Sequence, residues 1–249
     1  MKLTVLGNCG GVPTKHNACS SFLIQTDTTN VLFDCGPGTL DKLPEYLRLD
    51  ELDAIIISHF HPDHYSDLLC VKKTFELCGE LFGWKPLTIF CPTPTKSIRQ
   101  VITSAHIHYE YYDRIDTPIT FRDLSFDFTP VEHDELIPAF MCSIQEIASK
   151  AKITFSGDIG DYDESIIDFL KDTDALICDC FVPEEYQDEE CKHLSPTRAI
   201  RLGEKAKIPM LMLTHFNTFL PFSEYVSEME NAKPKIPTYI GKPKEFFYF

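Results

Sequence analysis

Leu52-Asp53-Ala54-Ile55-Ile56-Ile57-Ser58-His59-Phe60-His61-Pro62-Asp63-His64 is the stretch that decides the fold. Its first half is an apolar run that reads as a buried strand ending at Ser58. Its second half places four metal-capable side chains within six residues. Ligands set where a strand gives way to a loop are held by a rigid scaffold yet open to solvent. A helix does not suit them, because side chains at i and i+2 face different ways. In a tight loop, His59 and His61 can converge on one ion while Asp63 and His64 turn toward a second. Imidazole and carboxylate are ordinary zinc ligands, and they also suit manganese or iron. The plainer alternative is a polar loop rich in histidine by accident. It must then explain why three of the chain's nine histidines fall here.

The rest of the chain sets bounds on this reading. With 249 residues, 43% apolar and 24% charged, it has the profile of a soluble globular protein with a substantial core. No apolar run reaches about 18 residues, so no membrane span is expected. Met1–Gly7 reads as a strand rather than an export signal, which predicts a cytoplasmic protein. The ten cysteines are scattered and form no Cys-x-x-Cys pair. They are expected as reduced thiols acting as small buried apolar residues. Cys178 and Cys180 flank Asp179, which leaves a redox or metal role open at that point. The formal net charge of −15 repels polyanions. No dense Lys/Arg cluster offsets it, so long nucleic acid is not an expected partner.

Periodicity predicts strands at Lys2–Leu6, Ser21–Thr26, Val31–Phe33, Ala54–Ile57, Leu87–Cys91, Ile119–Arg122, Leu124–Thr129, Ala139–Ile147 and Lys152–Ser156, then Ala175–Cys178, Met210–Thr214 and Thr238–Ile240. Helices are predicted near Leu40–Leu47 and at Tyr65–Cys78, Ser97–Ser104, Ser165–Leu170, Thr197–Ala206 and Ser223–Met229. No repeat or low-complexity linker divides the chain, so residues 1–249 read as one domain of mixed sheets covered by helices. Three more ligand candidates follow strand-like runs: His133, Asp158 and His215. Any one alone would more often be structural. Four apolar strands each delivering a ligand at the same end form a stronger pattern, and five His with two Asp suit two ions.

The chain resembles the metallo-β-lactamase-fold hydrolases, and within them the ribonuclease Z-like group. The resemblance spans nearly the full length. It is carried by Leu6-Gly7-Asn8-Cys9-Gly10-Gly11-Val12-Pro13, Leu32-Phe33-Asp34-Cys35-Gly36, the His59–His64 signature, Ser156-Gly157-Asp158, His193-Leu194-Ser195-Pro196 and Leu213-Thr214-His215-Phe216. It implies an α/β fold, a four-layer αβ/βα sandwich of two mixed sheets flanked by helices, with a dimetal site at one edge. It further implies that His59, His61 and His133 hold the first ion. Asp63, His64 and His215 would hold the second, with Asp158 bridging. Asp158 stands in place of the Cys ligand common in zinc β-lactamases, and His61 in place of the Glu of flavodiiron relatives, which favours hydrolysis. Only 24 residues lie between His133 and Asp158. The long flexible arm that many tRNA-processing relatives insert there is absent, so the likeness is to small armless members.

Two ions about 3.5–4 Å apart can share a hydroxide and stabilise both attacking and departing oxygens. No Gly-x-Ser-x-Gly elbow offers a competing nucleophile. The resemblance places His193 facing a scissile phosphate, able to protonate the leaving oxygen. Asp179 falls where relatives often have a supporting Glu, with a shorter side chain. Asp63, His193 and Asp179 are therefore the candidate catalytic residues. Asp34 is a candidate for orienting a ligand imidazole, and Asp67 either for that or for the first turn of a helix. His106 and His108 read as one solvated strand face, and His16 is set aside. The tail Phe246–Phe249 is too apolar to dangle and should dock on its own domain or on a second subunit.

The leading functional reading is a phosphodiesterase with two divalent ions, zinc first and manganese or iron as alternatives. It would act on a small phosphodiester such as a cyclic nucleotide or short oligonucleotide. A lactone or thioester hydrolase on the same fold is the second reading. A non-catalytic metal- or nucleotide-binding protein is the third, with a homodimer allowed by resemblance in each.

Overall fold

In the strand Ala54–Ile56, Ala54 and Ile56 point into a core shared by two sheets, while Ile55 and the following Ile57 face a second core under the outer helices. Strand side chains alternate faces, so a continuous apolar run is what a strand covered on both sides requires. The computed structural model describes residues 1–116, 118–188 and 190–249. One sheet runs, in spatial order, Phe216–Asn217, Lys2–Gly10, Ser21–Gln25, Asn30–Phe33, Ala54–Ile56, Leu87–Cys91 and Ile107–Tyr111, with Ala18–Cys19 and Phe246–Tyr248 also paired to the Lys2–Gly10 strand. The other runs Thr238–Ile240, Met210–Thr214, Ala175–Asp179, Lys152–Phe155, Ala139–Glu146, Leu124–Val131 and Ile119–Phe121. Each sheet mixes parallel and antiparallel pairs.

The sheets pack face to face. Phe33 of one stacks on Phe155 of the other with ring centroids 4.2 Å apart. Helix Leu68–Phe82 covers the outer face of the first sheet through Leu68, Val71 and Phe75. Helices Pro196–Ala206 and Phe222–Ala232 cover the second through Ala199, Ile200, Leu202 and Tyr225. This is the expected four-layer αβ/βα sandwich. No helix among the described residues is long and apolar enough to cross a membrane.

Polar latches close the edge where Ala54–Ile56 begins. Asp53, nearly buried, accepts from Lys85 Nζ at 2.5 Å and from the Asn30 backbone N–H at 2.9 Å, and forms an ion pair with Arg122 at 3.0 Å. Arg122 comes from the turn before Leu124–Val131, so this carboxylate ties one sheet to the other. Removing it strands donors that folding has partly desolvated. Asp53→Ala is expected to cost about 1–3 kcal/mol, read as a lower urea midpoint at unchanged slope.

Several expectations need correction. The helix expected over Tyr65–Cys78 is two pieces, Pro62–Tyr65 and Leu68–Phe82. Pro62 suits a first helical turn and starts the first piece inside the signature itself. Asp67 accepts the Leu40 backbone N–H at 3.0 Å, so it fastens the Thr39–Lys42 helix rather than a ligand imidazole. His106 and His108 do not share a strand face. His106 precedes Ile107–Tyr111 and packs on Gly79, whereas His108 is in that strand and exposed. The strand from Lys2 continues past Leu6 to Gly10. The aromatic tail forms a strand on Lys2–Thr4, with Phe247 and Phe249 packed against the core.

Candidate metal centre

The parallel strands end together, and their following residues meet. His59 follows Ala54–Ile56, Asp158 follows Lys152–Phe155, Asp179 closes Ala175–Asp179 and His215 follows Met210–Thr214. Ligand sites of α/β sheets form at the carboxyl ends of strands. One of these junctions, at His215, and the end of a neighbouring strand, at Asp34, bend sharply. Asp34, after Asn30–Phe33, and His215 hold left-handed backbone, at φ 57° and 63°. A non-glycine residue is kept there only where its surroundings fix it, at a cost of order 1–3 kcal/mol. Gly36 admits no side chain, because a Cβ would lie 1.7 Å from the Asp63 carbonyl oxygen. Cys35 N–H donates to the His64 carbonyl at 2.8 Å, which fixes the signature loop against this turn.

His59, His61, His133 and Asp158 bring one donor atom each within 4.8 Å of one another, and so do Asp63, His64 and His215. In the first group His61 Nδ1 lies 3.0 Å from both His59 Nε2 and His133 Nε2. Asp158 Oδ2 is 3.5 and 3.6 Å from those two Nε2 atoms. In the second, His64 Nε2 is 3.2 Å from His215 Nε2, and Asp63 Oδ2 is 3.2 Å from His215 Nε2. Asp158 faces this group as well, with Oδ2 3.3 Å from His64 Nε2 and Oδ1 3.4 Å from His215 Nε2. One carboxylate thus lies between two clusters.

The outer hydrogen bonds assign the tautomers. His64 Nδ1 donates to Asp34 Oδ2 at 2.7 Å, and His133 Nδ1 donates to the Lys192 carbonyl at 2.8 Å. His59 Nδ1 lies 3.0 Å from Ser58 Oγ, whose own proton goes to Asp34. His215 Nδ1 is 3.2 Å from Asp179 Oδ1, in ion-pair range though not aligned as a hydrogen bond. His61 is reversed, with Nε2 toward Asp134 at 3.5 Å and Nδ1 inward. A carbonyl or carboxylate outside demands N–H on that side. Five imidazole nitrogens therefore point inward at one another. That is unfavourable unless a cation lies between them. A tetrahedral ion with bonds of 2.0–2.1 Å to nitrogen separates its ligands by about 3.3 Å, and the inward spacings bracket that value. The donor set fits divalent metal.

The electrostatics divide the histidines. Burial holds His59 well below the usual imidazole range and lowers His133 too. Burial also pulls on His64, but Asp158 and Asp34 outweigh it and raise the pKa well above normal. His215, buried beside Asp158, Asp179 and Asp63, is raised to about 10. Burial opposes ionisation of Asp158, yet His215, His64 and His59 hold it well below the carboxylate range.

All seven sequence-derived ligand candidates come together here. His193 lies beside them, with Nδ1 2.9 Å from Asp179 Oδ2 and 4.0 Å from Asp158 Oδ2. The shorter Asp179 still reaches it. Ala175–Asp179 pairs in parallel with Met210–Thr214, register Asp179 to Thr214, which carries the carboxylate to His193 and His215 together. Burial opposes the His193 cation, but Asp179 outweighs it and raises the pKa. Sequence reading missed Phe181, whose ring lies 4.5 Å from His193 and 5.4 Å from His215. It also missed the Gly11 N–H, which donates to Asp63 Oδ2 at 2.8 Å. Cys178 and Cys180 are fully buried free thiols pointing away from this chemistry into the helix-covered core.

Residues 29–216 match the family described as Beta-lactamase superfamily domain. The chain belongs to that superfamily. Among curated proteins it is similar to a probable metallo-hydrolase, YhfI of Bacillus subtilis, at 28% identity over 88% of each chain. The crystal structure of that metallo-beta-lactamase fold protein superposes with a TM-score of 0.87 at 26% identity, covering 99% of this chain and 98% of the other. The zinc phosphodiesterase ELAC protein 2 of Macaca fascicularis is 24% identical over 87% of this chain, which spans 30% of that longer protein. The short form of human tRNase Z shares the fold, with a TM-score of 0.77 at 20% identity over 100% of this chain and 99% of that one.

Proposed function

We propose that this superfamily member is a hydrolase with two divalent metal ions, acting on a small phosphodiester. The observation that carries the reading is the set of five inward-facing imidazole nitrogens with Asp158 between the two clusters. The names of its relatives, a metallo-hydrolase and a zinc phosphodiesterase, favour the same class. His59, His61 and His133 would hold one ion, Asp63, His64 and His215 the other, with Asp158 shared. Zinc suits this donor set first, and manganese or iron are alternatives. Bound there, the ions would supply Lewis acidity and ionise a water at neutral pH. Both sheets furnish ligands to the one centre, so residues 1–249 act as one domain in this proposal.

The chain's own residues supply orientation and a proton. Asp34 fixes His64, and through Ser58 it fixes His59, so one buried carboxylate positions two imidazoles. Asp179 holds His193 Nδ1 and favours its protonated form. The remaining Nε2–H is then free to donate to the leaving oxygen. Departing alkoxide requires such a donor more than departing nitrophenolate does, so leaving-group basicity reports on His193.

Bis(p-nitrophenyl) phosphate should be cleaved with added Zn²⁺ or Mn²⁺. On a diester with an alkoxide leaving group, His193→Ala should lower kcat by about 10²–10⁴-fold, with a smaller loss on bis(p-nitrophenyl) phosphate, and leave metal content unchanged by elemental analysis. Asp179→Asn removes the charge that raises the His193 pKa, so the alkaline limb of the rate profile should move to lower pH. An unaltered rate of the alkoxide-leaving diester in His193→Ala, or faster turnover of a lactone than of the phosphodiester, would remove the phosphodiesterase assignment. The acidic surface argues for a small substrate rather than long nucleic acid.

A further inference from the structure

His193 donates from Nδ1 to Asp179 Oδ2 at 2.9 Å. One hydrogen bond fixes an atom and a direction, but the ring behind it can still turn about that axis. The proposed proton donor, Nε2, sits two bonds further round the ring, so its aim depends on what holds the plane. Three other rings border His193. His133 meets it nearly edge-on, at 4.8 Å between centroids and 68°, and His215 lies at 5.3 Å and 20°. Both of these are ligand candidates. The nearest of the three is Phe181, at 4.5 Å and 31°, a spacing at which aromatic rings attract.

Core packing does not account for Phe181. Its side chain is half-buried and joins none of the three apolar cores among the described residues. Its backbone is nonetheless held firmly. The Phe181 carbonyl accepts from the Asn217 N–H at 3.0 Å and from the buried Tyr225 hydroxyl at 2.6 Å. The strand Lys2–Gly10 makes room for the ring at its last residue. A Cβ on Gly10 would lie 2.6 and 2.8 Å from Phe181 Cδ2 and Cε2, closer than side-chain atoms approach. The edge of the ring thus occupies space that any other residue at position 10 would fill. Anchored at its carbonyl and admitted by a glycine, the ring is set against His193 and, at 5.4 Å, against His215.

We propose that Phe181 is a positioning residue for His193, its ring fixing the plane of the imidazole so that Nε2–H is aimed at the leaving oxygen. The inference rests on the phosphodiesterase reading and adds a residue to it. Methyl phenyl phosphate and methyl p-nitrophenyl phosphate test it with zinc-loaded protein. They differ by one nitro group, and phenolate, the more basic leaving group, needs the proton more. A misplacement of about 1 Å can cost about 10²-fold, so Phe181→Leu should lower kcat on methyl phenyl phosphate by at least about tenfold and on the nitrophenyl ester by less than about threefold. KM and zinc content should stay unchanged. Phe181→Tyr, which keeps the ring, should retain the wild-type ratio of the two rates. In a His193→Ala background Phe181→Leu should cost nothing further, because residues that act through one another are not additive. Equal effects on the two esters, loss of zinc, or a loss that persists without His193 would make Phe181 structural and overturn the inference. Should Phe181→Leu not fold, as judged by circular dichroism, Phe181→Met decides by the same ratio. Failure of the phosphodiesterase reading looks different: the wild type then cleaves neither ester. The crystal structure of the variant decides in that case, a displaced His193 ring supporting the inference and an unmoved one overturning it.

Discussion

Asp158→Ala should lower hydrolysis by about 1,000-fold or more while sparing the fold. Metal ions contribute several kcal/mol to stabilising developing charge, and 4 kcal/mol corresponds to about a thousandfold in rate. Asp158 lies in contact range of both clusters, through Oδ2 to His59, His64 and His133 and Oδ1 to His215. Its loss leaves His64 and His215 with less of the negative charge that raises them. The cluster with only two imidazoles, His64 and His215, should lose its ion first, giving protein with about one metal per chain. The contrast with His193→Ala is the informative part: that variant should be slow with both ions in place. If Asp158→Ala kept two ions and wild-type turnover, the shared carboxylate would have no role.

The second large effect is a pH dependence of metal uptake that differs between the clusters. A ligating imidazole must give up its inward proton, so binding competes with protonation. His59 and His133 are depressed by burial and already carry free inward lone pairs at neutral pH. His64 is raised by Asp158 and Asp34, and His215, at about 10, by Asp158, Asp179 and Asp63. A raised pKa means the proton leaves only as pH climbs toward it. Loading should therefore be sequential, with the His59–His61–His133 ion bound first. Affinity at the Asp63–His64–His215 cluster should rise with pH, by up to about tenfold per unit for each proton displaced. The same linkage acts on the metal-free fold. Stability from His64 and His215 is complete below about pH 6.5, the unfolded value, and is lost as pH rises through their raised folded values. Zinc titration calorimetry at pH 6 and pH 8, in buffers of different ionisation enthalpy, counts the protons released at each step. Equal slopes for the two ions would contradict the division.

Much of this candidate centre could be read from the sequence because strand-like runs lead into His59, His133, Asp158 and His215. Ile55-Ile56-Ile57 before His59 and Leu211-Met212-Leu213 before His215 signal strands buried on both faces, and strand ends are where side chains can gather. Asp34 was legible for the same reason. What could not be read depended on partners distant in the chain. Phe216–Asn217 and Phe246–Tyr248 become strands only because Lys2–Gly10 offers them an edge. Alternation places His106 in a strand, but Gly79 leaves a space on the neighbouring helix that its ring occupies. Asp179 looked too short for its task, and the register of two parallel strands sets its reach. Phe181 carried no sequence signal, since an isolated aromatic after a strand reads as core.

Anomalous diffraction from crystals of the zinc-loaded protein, recorded at the zinc edge, tests the central claim most directly. The account predicts two peaks about 3.5–4 Å apart. One should lie about 2.0–2.1 Å from His59 Nε2, His61 Nδ1 and His133 Nε2, the other at that distance from His64 Nε2 and His215 Nε2, with Asp158 touching both. No peak within this ring of imidazoles, or a single ion that leaves Asp158 unbound, would contradict it.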